Sequence, residues 1–295
     1  MSEYRKKPIE RIFVVYKRSV FQKYFLELKN YKISNLIHKR HPLTKGMIKT
    51  HHQHMNSLRV IKEVLNNSGI KYRMSTRSHS TNFKGFDLVI TIGGDGTFLR
   101  ATHYIKDQLI LGINSVPTQS VGAHCSIHYD AFAEKLQEII SGKYKIRELP
   151  RMRIKINRKT LPIEPINDLL FTNYSPAATS RYIISHGTHM EEHKSSGIWI
   201  STAIGSSAAV HATGGHIQKI SDKRLQYIVR EPYVAPHDKP YKVIHGYFKG
   251  QEQLKIMSKM LKARIFLDGP TAYFNIDYGD AVTIARSQKV VRVVL

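Results

Sequence analysis

The chain is most tightly constrained where Phe86–Ile92, an apolar run broken only by Asp87 and Thr91, meets Gly93-Gly94-Asp95-Gly96-Thr97. A short continuous apolar run suits a strand buried on both faces, as in a parallel sheet covered by helices. Three glycines within four residues free the backbone for φ > 0 and for close approach by a bulky group. Phe98, Ala101, Thr102 and Ile105 follow at helical spacing, which predicts a helix over 98–106. A strand, a glycine turn and a helix in succession present unpaired N–H groups and a positive dipole end, so the segment reads as a phosphate cradle. Asp95 is a carboxylate inside that cradle. It can hold Mg²⁺ on the phosphates, accept the proton of an attacking hydroxyl, or simply cap the helix. The G-x-x-x-x-G-K-[ST] pattern is absent, and Leu99 stands where G-x-G-x-x-G needs its third glycine, so neither a P-loop nor a dehydrogenase fingerprint fits.

Around this segment the first half alternates two periods. Ile12–Tyr16 and Leu109–Ile113 read as strands, His51–Asn66 as a helix carrying Leu58, Ile61 and Leu65, and 19–40 as helix plus loop. After about residue 145 the pattern is of short strands: Arg153–Asn157, Tyr182–Ser185, Ile198–Thr202, Arg264–Leu267, Ala281–Ala285 and Val290–Val294. Turn signals such as Asp268-Gly269-Pro270 separate some of them. Only Ser206–Thr213 and 251–261 suggest helices there. The expected fold is an N-terminal Rossmann-like parallel α/β domain over 1–130, then a mostly β, sandwich-like domain over 131–275, with a tail from about 275 to 295 that can pack back on the first.

Lys and Arg number 46 against 22 Asp and Glu, a formal charge of +24. Residues 1–80 hold 18 Lys/Arg and four Asp/Glu, including Arg5, Lys6 and Lys7 near the start. Such a surplus attracts polyanions, or serves solubility alone. No RNP-type aromatic pattern or helix-turn-helix accompanies it, so nucleic acid is not the expected partner. One cysteine, Cys125, excludes an intrachain disulfide and makes a reducing compartment the default. No apolar stretch approaches the ~18 residues of a membrane span. A cytoplasmic protein without a membrane partner is expected.

Gly-Gly-Asp-Gly-Thr after an apolar strand resembles a superfamily of NAD kinases, diacylglycerol kinases and 6-phosphofructokinases, which phosphorylate alcohols. Further segments favour the NAD kinases. Leu111-Gly112-Ile113-Asn114-Ser115 resembles their Gly-Ile/Val-Asn strand end, and Asn167-Asp168 their Asn-Glu/Asp pair. Ser196-Gly197 through Thr202-Ala203-Ile204-Gly205-Ser206-Ser207-Ala208-Ala209 is similar to their strand followed by Thr-x-x-Gly-Ser-Thr-Ala, and Asp268-Gly269 to their late Asp-Gly. The resemblance covers roughly 86–295. It implies transfer of the γ-phosphoryl of ATP, with Mg²⁺, to the 2′-hydroxyl of the adenosine ribose of NAD or NADH, with polyphosphate a possible alternative donor. It further implies that Gly93, Gly94, Gly96 and Thr97 lie against the phosphates and that Asp95 is catalytic. Asn114, Asn167, Asp168, Ser196, Thr202, Ser207 and Ala208 would line the dinucleotide, in a homodimer or homotetramer. The competing functions are a lipid or sugar kinase with the same glycine motif, and a non-catalytic nucleotide- or nucleic-acid-binding protein.

The chain also departs from the family. Ser196-Gly197 stands where most members have Asp-Gly, Ala209 where most have Tyr, and His124-Cys125-Ser126 where most have Leu-Gly-Phe. The Ser-Ser-Gly version, the run Asn114, Ser115, Pro117, Thr118, and Arg230-Glu231-Pro232 resemble the plant NADH kinase branch. Loss of an acid near the nicotinamide agrees in sign with tolerance of the neutral reduced ring. Three other signals carry less. His189-Met190-Glu191-Glu192-His193 matches a zinc-protease string but lacks a helical setting, and reads as a hairpin loop. His51, His52 and His54 read as part of a basic helix, and Cys125 as small core filler.

Overall fold

The computed structural model describes residues 8–79, 82–119, 122–237 and 239–295, so Arg5, Lys6 and Lys7 lie outside the described residues. The chain divides into two compact units. The first is Met1–Glu148 with Arg292–Leu295, and the second is Leu149–Val291.

The first unit is built on parallel strands: β1 (Arg11–Tyr16), β2 (Lys71–Thr76), β3 (Leu88–Gly93) and β4 (Leu109–Asn114). Their order is β4-β3-β1-β2. β3 and β4 are buried at every residue, which is why their sequences run apolar without alternation. Helices α1 (Tyr31–His38), α2 (Pro42–Asn67), α3 (Asp95–Thr102) and α4 (Phe132–Ile140), with the short strand β5 (Ile127–His128), complete the unit. α2 starts nine residues before the predicted His51, because Pro42 at its first turn and a polar, glycine-containing opening hide the start. Ser57, Ile61 and Leu65 form its buried stripe, and His54 lies on the same face. α3 begins three residues earlier than predicted and ends at Thr102. The last residues of the chain return here, where Arg292 and Val293 pair in parallel with Leu109 and Ile110.

The second unit is almost all β. One antiparallel sheet has the order β13-β12-β11-β8-β15-β16, formed by β8 (Asp168–Asn173), β11 (Gly197–Ser201), β12 (Leu225–Arg230), β13 (His245–Phe248), β15 (Ala263–Leu267) and β16 (Tyr273–Ile276). A second antiparallel run joins β10 (His189–Ser195), β9 (Ser180–His186), β14 (Gln253–Ser258) and β17 (Ala281–Val294). The strands β6 (Ile146–Ile156) and β7 (Lys159–Thr160) form a further pair. Phe171, Ile198, Ile200 and Ile265 from one sheet share a core with Tyr182, Ile184, Leu254 and Ile284 from the other, as in a sandwich.

Three sequence expectations are corrected. Residues 251–261 hold strand β14, not a helix; Leu254, Ile256 and Ser258 point inward at every second position. The helix expected over Ser206–Thr213 shrinks to α5 (Ala209–Ala212), preceded by turns, so it provides no N-terminal anion site. His189–His193 forms strand β10 rather than the loop, and the hairpin turns at Gly187-Thr188.

Candidate active site

In the first unit the site grows from the carboxyl edge of the parallel sheet. β1 has β2 on one side and β3 on the other, although β3 comes third in the chain. Such a reversal opens a crevice beyond the strand ends, where α/β sheets take ligands. The glycine turn leaves β3 at that point. Gly94 caps α3 with an extended backbone (φ −127°), and Asp95 is the first helical residue. Positive φ is therefore not what this turn asks of its glycines. Gly93 is needed for closeness: a Cβ there would collide with the side chain of Thr97. Gly96 has only ordinary space above it, with Arg77 Nη1 at 3.7 Å from a hypothetical Cβ. The Thr97 hydroxyl is buried and has no hydrogen-bond partner.

Asp95 is half-buried and held by one oxygen. Its Oδ1 accepts the backbone N–H of His124 at 2.8 Å, whereas no bond to Oδ2 occurs among the described residues. The His124 contact depends on Gly112 in β4, because a Cβ there would stand 2.7 Å from the His124 carbonyl and 2.9 Å from Cys125 Cα. Glycine thus lets the 124–126 segment lie on the strand, where Ser126 N donates to the Gly112 carbonyl at 2.9 Å. Asn114 pairs with Gly93 across the ladder and accepts the Val116 N–H at 3.1 Å. Gly122, at φ +61°, passes so close to Asn114 that no side chain would fit. Burial and the neighbouring Asp95 push the Cys125 thiol up to about 12, so it stays protonated and unreactive.

Several cations at this edge were not singled out from the sequence. Lys17 follows β1, Arg77 follows β2, and Arg100 lies on α3, all half-buried. Their signal is weak in a chain already rich in Lys and Arg.

In the second unit Asn167 and Asp168 open β8 and are both 7% exposed. They are fixed by Asp268, whose carboxylate accepts the backbone N–H groups of Ile166 (3.1 Å), Asn167 (2.8 Å) and Asp168 (3.2 Å). Thr202 holds the other side, its N–H donating to the Asn167 carbonyl at 3.1 Å and its hydroxyl to the Ile166 carbonyl. Gly205 packs against the Asn167 backbone too closely for any Cβ. Asn167 Nδ2 donates to Asp168 Oδ2 at 2.8 Å, while Asn167 Oδ1 is buried without a partner. Burial and the nearby Asp268 carboxylate push the Asp168 carboxyl up to about 7, against the Asn167 bond that lowers it. Asn167, Asp168 and Thr202 therefore form one constellation, with Asp268 and Gly205 as its supports. Ser207 and Ala208 lie exposed in the turns before α5. Ser196 is not part of this group. It precedes β11, whose far end, Ser201, pairs with Asp168. Five residues at ~3.4 Å each set it about 17 Å along the strand.

The metal reading finds no all-protein cage. Among the described residues no three His, Cys, Asp or Glu side chains converge. His189 and His193 lie on a strand, and His193 is stacked 4.1 Å from the Tyr241 ring.

Residues 25–144, which contain the glycine turn and Asn114, match the model of the ATP-NAD kinase N-terminal domain. The chain is 29% identical to a probable NADH kinase of Oryza sativa subsp. japonica, over 82% of this chain and 81% of the relative. The NADH kinase of Arabidopsis thaliana is also 29% identical, over 82% and 83% respectively. These matches make the chain similar to NAD kinases over most of its length. Among solved structures, an NAD kinase from Archaeoglobus fulgidus in complex with ATP superposes with a TM-score of 0.69 at 17% identity, covering 96% of this chain and 92% of that one. That likeness concerns fold: an α/β first domain and a β-rich second domain. Similarity to NAD kinases accords with a glycine turn opening a helix in the first unit and a buried Asn-Asp pair in the second. No helix of the described residues is long and apolar enough to cross a membrane.

Proposed function

We propose that the protein is an NAD(H) kinase that transfers the γ-phosphoryl group of MgATP to the 2′-hydroxyl of the adenosine ribose of NAD or NADH. The observation that carries this reading is Asp95, with one oxygen pinned by the His124 N–H and the other open at the mouth of the glycine turn. The open oxygen accepts the 2′-hydroxyl proton while the ribose oxygen bonds to the γ-phosphorus. The bond from that phosphorus to the bridging oxygen breaks, and ADP leaves with the electron pair. Most of the rate comes from positioning and charge stabilisation, since the chemistry needs no covalent enzyme intermediate. Gly93, Gly94, Gly96 and Thr97 border the phosphates. Asn167 faces an adenine edge with its amide and Asp168 the ribose hydroxyls, as their donor and acceptor types allow.

We also read the acceptor pocket as tolerant of NADH. Ser196, Ala209 and the 124–126 segment lack the acid and aromatics usual in the family, and the similar plant proteins are named as NADH kinases. Ser196 lies far from Asp168 on its own chain, which fits a homo-oligomer in which it meets the dinucleotide held by a neighbouring copy. The single cysteine supports work in a reducing compartment, the cytoplasm. The test is to supply MgATP with NAD or NADH and quantify NADP and NADPH. Both products are expected, and Ser196→Asp should shift the NAD/NADH rate ratio towards NAD several-fold. Absence of either product with ATP would overturn the kinase reading; an unchanged ratio would overturn the role of Ser196.

A further inference from the structure

Lys17, Arg77 and Arg100 gather at the carboxyl edge of the first unit's sheet, near Asp95 but in no ion pair among the described residues. Lys17 directly follows β1 at the point where strand order reverses, and its N–H donates to the Ile92 carbonyl beside the glycine turn. Arg77 directly follows β2, its N–H bonded to the Tyr16 carbonyl at 2.7 Å, and its guanidinium stands over Gly96. Arg100 reaches back from α3, Nε donating to the Arg77 carbonyl at 3.4 Å. Among the described residues none of the three has an ion-pair partner, whereas the adjacent Arg18 is paired with Glu27 at 2.6 Å. The buried Thr97 hydroxyl, in the first turn of α3, is a second polar group there without a partner.

We propose that Lys17, Arg77 and Arg100 bind the triphosphate tail of the nucleoside triphosphate donor, alongside the backbone of the glycine turn. The inference rests on the NAD(H) kinase reading for the identity of the donor. Half-buried like charges repel one another, and burial together with Arg77 lowers Lys17 while burial together with Arg100 lowers Arg77. An array held at such cost is relieved by an anion of matching charge. A triphosphate, at about four negative charges, fits three cations better than the two charges of a dinucleotide pyrophosphate. The guanidinium forks bind phosphate oxygens in pairs, and Lys17 acts as a point charge at the switch between β1 and β3. Lys17 and Asp95 both lie near Cys125, so the array borders the residue that takes the proton.

The test uses the full chain carrying Lys17→Met, Arg77→Ala or Arg77→Lys, each checked by circular dichroism and thermal melting. Kinetics are measured with ATP and with NADH varied separately, and inorganic tripolyphosphate binding is titrated by calorimetry without turnover. Lys17→Met and Arg77→Ala should raise the ATP KM and the tripolyphosphate Kd by about 10-fold or more, leaving the NADH KM within about twofold. Arg77→Lys should recover part of the loss. Folded variants with unchanged ATP KM and tripolyphosphate Kd would overturn the inference while leaving the kinase reading intact. A larger effect on the NADH KM than on the ATP KM would overturn it as well. If the native chain phosphorylates neither dinucleotide yet binds tripolyphosphate through Arg77, the kinase reading falls and the anion site stands. Should a variant fail to fold, the salt dependence of tripolyphosphate binding by the native chain decides: a slope below two neutralised charges would overturn the three-cation site.

Discussion

Asp168 shows how far a fold can move one residue's chemistry. Burial and the nearby Asp268 push its carboxyl up from the ordinary 3.8 to about 7. A raised acid binds more protons folded than unfolded between pH 3.8 and 7, so its contribution makes stability fall as pH rises through that window. Asp168→Asn should remove this slope, and melting curves at pH 5 and pH 8 would reveal it. A variant with the same pH dependence as the native chain would contradict the assignment. The Asp268 carboxylate, with three N–H groups directed at it, is the anchor of this constellation. Asp268→Ala leaves those donors in a mostly buried place and should cost about 3 kcal/mol or more, seen as a lower melting temperature.

At the scale of elements, α2 is tied to the sheet by His54. The ring is fully buried, with Nε2 2.7 Å from the Lys17 carbonyl and Nδ1 2.9 Å from Ser115 Oγ. A carbonyl can only accept, so Nε2 carries the hydrogen and Nδ1 accepts from Ser115. Burial lowers His54 from 6.5 to about 4 and keeps it neutral. Its stabilisation is complete above pH 6.5 and is lost as pH falls towards 4, because the unfolded ring protonates first. His54→Ala should cost about 2–4 kcal/mol at pH 7.5, and visibly less at pH 5. An equal penalty at both values, measured by denaturant titration, would count against a neutral buried ring. The same scale explains what sequence could tell. β3, the glycine turn and α3 were legible because a buried parallel strand is uniformly apolar. β14 was not: Lys255 and Met257 on its exposed face masked the alternation of Leu254 and Ile256. His189–His193 misled similarly, because a polar edge strand carries little hydrophobic pattern. Asn167-Asp168 was legible only by resemblance, and Gly122, Lys17 and Arg77 reach the site through tertiary contacts that no local spacing records.

Over the whole molecule, residues 292–295 return to the first unit, where Arg292 and Val293 lie beside β4. Val294 is fully buried and its carbonyl accepts the Ser126 hydroxyl at 2.6 Å. Leu295 N donates to the Lys145 carbonyl at 3.0 Å, and Arg292 Nε meets Glu148 at 3.1 Å. Deleting residues 292–295 should lower the melting temperature by several degrees, since a buried Val and a strand's hydrogen bonds are lost. The deletion should also lower kcat, because Ser126 belongs to the segment that holds Asp95 through His124. A truncated chain with native melting and kcat would contradict that coupling. Asp95 carries the account as a whole, so the decisive measurement compares phosphoryl transfer from γ-labelled ATP to NADH by the native chain and by Asp95→Asn. A fall in kcat of about 10²–10⁴-fold is expected, with tripolyphosphate binding retained. A variant that transfers phosphate at nearly the native rate would show that Asp95 is not the proton acceptor.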